Sequence, residues 1–481
     1  MNPANQIVDS VMTRREMLRR SACGFGSIAL AGLCRDALGL SSSTLNPLAA
    51  KASHFAPRAK RVIFIFMQGG PSHVDSFDFK PQLVKNHQRQ VDIMGYRFDD
   101  FRQMTKRTMM KPLWEFQRYG QCGQPVSSLF PETAKHVDDI CFLHGMHTEG
   151  IAHGPATLFL HTGSVNLVRP SVGSWVSYGL GSENENMPAF VTLMPTERMG
   201  GPQNYGNAFL PAIHQGTAIG KAEQDIKNIK IPHIANSRLS ETAQKRQFDL
   251  LQQVNHSQAE TSPGEDDIEA SINAFELAYR MQINAPGLTD LSGESAPTKA
   301  IYGIGEKETD VFGQQCLMAR RLAESGVRYI QVNYSDNHGG NPRWDQHSNL
   351  PQHARHAKAV DKPIAGLLQD LKTRGLLEDT LVWWGGEFGR TPFSQNKDGR
   401  DHNPHGFTVW LAGASVKPGI AYGATDEWGY MAVENKLHMH DLHATLLHLL
   451  GLDHEKLTYR YAGRDFRLTD VYGQVAHQIL A

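Results

Sequence analysis

The sequence predicts an α/β protein built on an open, mostly parallel sheet. Three observations carry that expectation. Two runs that are apolar at every position, VIFIF at 62–66 and LVWW at 381–384, imply strands covered on both faces. Amphipathic helical spacings alternate with such runs along the chain. Acids and histidines gather just past the strand ends, where open α/β enzymes place ligands and chemistry.

The N-terminus reads as targeting, not as fold. Arg14 and Arg15 in TRREMLR match the twin-arginine export pattern, and an apolar stretch at 22–33 follows. That stretch falls short of the ~20 residues a bilayer span needs. The expectation is a twin-arginine signal over 1–40, a linker over 41–60 and one main domain over 61–481. It implies a periplasmic or secreted protein, the twin-arginine export machinery as a partner, and no stable membrane span in the mature form. The alternatives are an uncleaved anchor and a lipoprotein at Cys34, where Leu33 stands in place of a small residue.

From residue 61 the elements follow in order. The strand 62–66 runs into Gly69-Gly70 and a loop with His73, Asp75 and Asp78. A short strand is expected at 140–143. Val172, Trp175, Val176 and Leu180 then share one face of a helix. Another strand is expected at 188–193. Residues 195–310 read as an insertion or cap, with helices over 240–255 and 266–281. A helix over 310–325 precedes a strand at 327–334, whose exit loop holds Asp336, His338, Asp345 and His347. Ile364, Leu367, Leu368 and Leu371 mark a helix with Pro363 in its first turn and Gly375 at its end. The strand at 381–384 leads to Glu387, Arg390, Asp401, His402 and His405, and then to the strand FTVWLAG. A last helix is expected from an Asp441 cap to Gly451.

Composition narrows the function. With 48 Lys+Arg against 49 Asp+Glu, nothing favours nucleic acid or an anionic membrane as a partner. Five cysteines occur, at 23, 34, 122, 141 and 316, without a CxxC pair or a disulfide framework. No P-loop or GxGxxG motif is present. Any metal must therefore be held by His, Asp, Glu and Asn side chains. The candidate ligands are His73, Asp75, Asp345, His347, Glu387, His402 and His405, from three loops. Mixed His/carboxylate sets suit Zn, Mn or Fe more than Mg or Ca. Seven candidates exceed one tetrahedral site, which leaves room for two ions. Arg390 and Arg343 are candidates for clamping a tetrahedral anion, or for structural ion pairs. The spacing leaves open which of His402 and His405 faces inward.

The segment HGPATLFLHTG, from His153 to Gly163, resembles the sulfatase signature C-S-P-S-R-A-A-L-L-T-G at Pro155, Leu160, Thr162 and Gly163. DLHATLLHLLG resembles the sulfatase helix D-L-x-P-T-L-L-x-L-x-G. LVWWGGEFGR resembles the strand that ends in an Asp-His metal pair. From residue 61 on, QGGPSHVDSFDFKP, WDQH, RGLLEDTLVWWGGEFGRTP and GRDHNPHGF resemble the twin-arginine-exported, sulfatase-like family of domain-of-unknown-function 1501. The resemblance implies a three-layer α/β/α fold of the alkaline-phosphatase-like superfamily. It puts the nucleophile position on His153, which excludes a formylglycine mechanism there. His153 can instead be phosphorylated, act as a base or bind metal. Thr157, one turn further, is a second candidate nucleophile. Gln68 stands where the superfamily has a ligand Asp, and Glu387-Phe388 replaces Asp-His.

The expected function is an exported, metal-dependent hydrolase of a small-molecule or glycan phosphate or sulfate ester, using activated water. His153, Arg390 and Thr157 are its catalytic candidates. The alternative is a binding or assembly protein on the same fold without the chemistry.

Overall fold

The computed structural model describes residues 48–94, 104–224, 290–337 and 342–481, with scattered positions between 242 and 254. The twin-arginine segment lies outside the described residues, as do the helix expected over 266–281 and most of that over 240–255.

A nine-stranded sheet forms the centre. Its strands are β1 (Arg61–Met67), β2 (Ile140–His147), β3 (Phe190–Leu193), β4 (Thr217–Ile219), β5 (Tyr329–Tyr334) and β6 (Thr380–Gly385). After a hairpin of β7 (Gly389–Gln395) and β8 (Gly399–Asn403), the sheet resumes with β9 (Phe407–Ala412), β10 (Ile420–Tyr422) and β11 (Leu437–His438). The order across the sheet is β10-β2-β9-β6-β1-β5-β3-β4, with β11 beside β2. β1 pairs in parallel with both β6 and β5, so it is the central strand. Only β9 runs against its neighbours β6 and β2.

Side-chain alternation along β1 builds two cores. Ile63, Ile65 and Met67 pack with Val382 and Trp384 against α3 (Asp310–Glu324) and α4 (Gln352–Thr373), through Cys316, Leu317, Ile364 and Leu368. Val62, Phe64 and Phe66 face the other way with Leu381 and Trp383. They meet α1 (His153–Thr162), α2 (Val172–Leu180) and α5 (Met439–Leu449), through Leu160, Val176 and Leu446. The result is the three-layer α/β/α arrangement expected from the doubly apolar strands.

Three elements differ from the sequence reading. Pro363 lies inside α4, not in its first turn, because the helix begins at Gln352. Its buried face continues back through Val360, Ala357, His356 and His353, and the histidines interrupt the apolar pattern. The cap of α5 is His438, and Asp441 is the third helical residue, closing a capping box onto the His438 N–H at 2.8 Å. Within 195–310, β4 adds an edge strand to the sheet, so that part belongs to the core layer. Among the described residues, no helix is long and apolar enough to cross a membrane.

Candidate metal centre

Parallel strands deliver their exit loops to one edge. β1 ends in Gly69-Gly70, β5 leads to Asp345 and His347, β6 leads to Glu387, and β2 leads to His153 at the start of α1. The antiparallel β9 begins at the same edge, so the hairpin before it brings His402 in. Two glycines permit the closeness. Gly69 has φ +106°, and a Cβ there would stand 2.7 Å from the Trp344 amide nitrogen and 2.9 Å from that of Asp345. A Cβ on Gly399 would stand 2.1 Å from the His347 carbonyl carbon.

His153, Asp345, His347 and His402 place one ligand atom each within 4.8 Å of one another. Asp345 is the hub. Its Oδ1 lies 2.9 Å from His347 Nε2 and 3.3 Å from His402 Nε2. Its Oδ2 lies 3.2 Å from His153 Nε2, which is buried and makes no aligned hydrogen bond. The Nε2 atoms of His347 and His402 are 2.9 Å apart.

The opposite ring nitrogens explain this convergence. His153 Nδ1 faces Glu387 Oε1 at 2.6 Å, His402 Nδ1 faces the Ile151 carbonyl at 2.6 Å, and His347 Nδ1 faces Gln395 Oε1 at 2.5 Å. Those oxygens only accept, so each Nδ1 carries the proton. In the neutral rings each Nε2 then presents a lone pair. Three lone pairs and a carboxylate crowd one point, an arrangement that calls for a cation. Metal-ligating histidines almost always carry such an outer acceptor, so the arrangement is compatible with a bound cation. The donor set therefore fits a divalent cation.

In the metal-free protein, protons take the cation's place. Burial opposes charge on His153, but the facing carboxylates of Asp345 and Glu387 outweigh it and raise its pKa. The hydrogen bond to Asp345 raises that of His347. Burial drives His402 down to about 4. Burial works against the Asp345 charge too, yet the three facing histidines hold its carboxyl well below the usual carboxylate range.

Of the seven ligand candidates, the structure brings together Asp345, His347 and His402, and His153 joins them. Glu387 sits one layer behind, fully buried, with the Gly69 N–H donating to both its oxygens at 3.0 and 3.1 Å. It faces His153 Nδ1 from behind and not the converging Nε2 atoms. Glu387→Gln is expected to weaken metal binding about 10–100-fold with the fold intact, as measured by competition with a chelating dye.

His73, Asp75 and His405 stand apart from the group. His73 Nε2 donates to the Gly429 carbonyl at 2.7 Å. Asp75 pairs with Arg400 Nε at 2.6 Å and accepts from Ser72 Oγ at 2.5 Å and the Leu113 N–H at 3.0 Å. Both partners of that ion pair are fully buried. Asp75→Ala leaves Arg400 buried without its counter-charge, and a loss of about 3–5 kcal/mol is expected in urea unfolding. His405 packs against Tyr430, with ring centroids 6.0 Å apart, and its main chain pairs with Ala432.

The other candidates also have definite places. Arg390 is fully buried and donates to the carbonyls of Gly69, Gly70, Trp344 and Arg400, and to Asp345 Oδ1 at 2.8 Å. With its donors so engaged it braces Asp345 and does not clamp an anion. Thr157 is fully buried, its hydroxyl without a hydrogen-bond partner, and a nucleophile shut off from solvent does not reach a substrate. Arg343 lies over the Tyr334 ring at 5.1 Å, beside a cavity of about 720 Å³. Sequence reasoning missed Gln395, which orients His347, and Phe388, whose ring stands 5.0 Å from His153 and 4.4 Å from His402. No feature of the sequence singles out Gln395; Phe388 shows only as the residue after Glu387.

No curated protein matches the chain. Several solved structures resemble it at low identity. Ps i-CgsB in complex with k-i-k-neocarrahexaose has a TM-score of 0.37 and 10% identity, over 81% of this chain and 72% of that chain. The lipoteichoic acid synthase LtaP from Listeria monocytogenes has a TM-score of 0.34 and 10% identity, over 88% and 79%. A TAB5 alkaline phosphatase mutant with bound Mg has a TM-score of 0.34 and 10% identity, over 83% and 99%. The model of the family described as "Protein of unknown function (DUF1501)" matches residues 59–480, and the chain belongs to that family.

Proposed function

We propose that the chain is a metal-dependent hydrolase of phosphate or sulfate esters, exported by the twin-arginine route and acting on a small-molecule or glycan ester. The observation that carries this reading is the set of three Nε2 lone pairs converging on Asp345, each fixed from behind by an acceptor. His153, Asp345, His347 and His402 would hold the ion. A divalent ion bound there supplies Lewis acidity toward water and the ester oxygen, which removes the need for a serine or cysteine nucleophile. Glu387, Gln395 and the Ile151 carbonyl keep each Nδ1 proton in place, so the Nε2 atoms stay available. Arg390 fixes the Asp345 carboxylate. Phe388 shields the rings of His153 and His402 from water. Nitrogen-rich donors favour Zn or Mn over Mg or Ca, and a single group of ligands among the described residues favours one ion.

Elemental analysis of the exported protein, beside assays of aryl phosphate and aryl sulfate cleavage, tests the reading. Near one equivalent of metal and turnover that disappears with chelation are expected. Metal-replete protein that cleaves neither ester overturns the hydrolase reading. It would favour the second one, a binding or assembly protein, which rests on His153 occupying the covalent nucleophile's position. Export is tested separately. Replacing Arg14 and Arg15 together with Lys is expected to leave the precursor in the cytoplasm on cell fractionation.

A further inference from the structure

A pocket of about 220 Å³ lies beside the metal centre, lined by Arg107, Phe393, Ser394, Gln395 and Asp401. Two of its walls belong to the centre's own support. Gln395 Oε1 holds His347 Nδ1 at 2.5 Å, and Asp401 Oδ1 lies 3.6 Å from the same nitrogen. The pocket therefore lies on the Nδ1 side of the His347 ring, across that ring from the converging Nε2 atoms.

Arg107 comes from a separate two-stranded ribbon, Gln90–Met94 paired with Met104–Thr108. The ribbon is tied to the site hairpin by a bridge between Met109 and Phe393 and by the Met110 N–H on the Pro392 carbonyl at 3.1 Å. The guanidinium lies over the Phe393 ring at 5.1 Å, which fixes its plane. Its Nε is buried without a hydrogen-bond partner, and among the described residues no carboxylate pairs with it. An arginine next to an acid normally pairs with it. Here Asp401 turns Oδ1 to the His402 N–H at 2.9 Å instead. The Gln395 amide nitrogen also lacks a partner among the described residues.

We propose that this pocket is an anion subsite of the same centre, and that the substrate is an ester bearing a second anionic group. Arg107 and the Gln395 amide hold that group while the ester faces Asp345; this rests on the hydrolase reading above. A guanidinium fork matches sulfate, phosphate or carboxylate oxygens bidentately, which makes Arg107 a specificity residue. At about 30 Å³ per water, the pocket takes one such group and several waters.

The test is binding, which does not depend on turnover. Metal-loaded wild type, Arg107→Gln and Arg107→Lys are titrated calorimetrically with ethanesulfonate, 1,3-propanedisulfonate and 1,4-butanedisulfonate. Wild type is expected to bind the better disulfonate about tenfold more tightly than the monosulfonate, the scale of one charge-assisted contact. Arg107→Gln is expected to lose that preference while keeping its melting temperature, and Arg107→Lys to keep part of it. A wild type without the preference, or an Arg107→Gln variant that retains it, overturns the subsite. Absence of ester cleavage with the preference intact would count against the hydrolase reading alone.

Discussion

Asp345→Asn is expected to abolish metal binding, lowering affinity by more than the about 100-fold that outer-layer changes cost. Asp345 is the one residue that meets all three imidazoles, through Oδ1 to His347 and His402 and Oδ2 to His153. Asn keeps the shape but removes the charge, and it turns an amide toward at least one lone pair. Arg390 keeps its carbonyl acceptors at Gly69, Gly70, Trp344 and Arg400 but loses its buried counter-charge, so a lower melting temperature is expected beside the metal loss. Metal content by elemental analysis, beside a thermal melt of the metal-free proteins, separates the two effects. His405→Asn is the matched control, since His405 lies outside the ligand group. Full metal in folded Asp345→Asn, or metal lost from folded His405→Asn, would sink the assignment.

The sheet was legible because its central strands are apolar at every position. Val62 to Phe66 and Leu381 to Trp384 bury both faces, as strands of a sheet covered on both sides do. The direction of β9 was not legible, because FTVWLA reads the same whichever way it pairs. Asp345, His347 and His402 were visible as ligand types past strand ends. Their neighbours His73 and Asp75 have the same local signature but are claimed by the distant Gly429 and Arg400. Sequence adjacency cannot supply such long-range partners. The same limit hid the division between Glu387, which orients, and His153, which converges on the cluster. That division depends on a 2.6 Å contact across 234 positions. Gln395 was hidden more deeply, since its place depends on the register of the site hairpin.

Acidification is expected to unfold the metal-free protein between about pH 6.5 and 4, the window set by its buried histidines. Burial lowers His73, His161 and His443 from 6.5 to about 4 each. Each sits inside a core and hydrogen-bonds to a carbonyl: Gly429 for His73, Thr157 for His161 and Leu160 for His443. None of them forms an ion pair with a carboxylate among the described residues. Between these two pH values the unfolded chain binds protons that the folded chain refuses, so stability falls as pH falls. The gap is worth roughly 3 kcal/mol per histidine. Three together approach the whole stability of an ordinary domain, about 5–15 kcal/mol. His153 and His347 act in the opposite sense. Their raised values give stability that is fully present below 6.5 and lost as pH rises through the folded values, so they offset part of the loss. Asp345, held low, contributes stability above 3.8 and is lost only below this window. Urea unfolding of metal-free protein at pH 7.5 and 5.0 reads the balance. The paired change His161→Gln and His443→Gln should remove only the share of those two rings, about 2 kcal/mol each between pH 7.5 and 5.0, while His147, His214, His356 and His440, also lowered by burial, keep theirs. Equal stability at the two pH values in wild type would mean that these rings gain protons without leaving the fold.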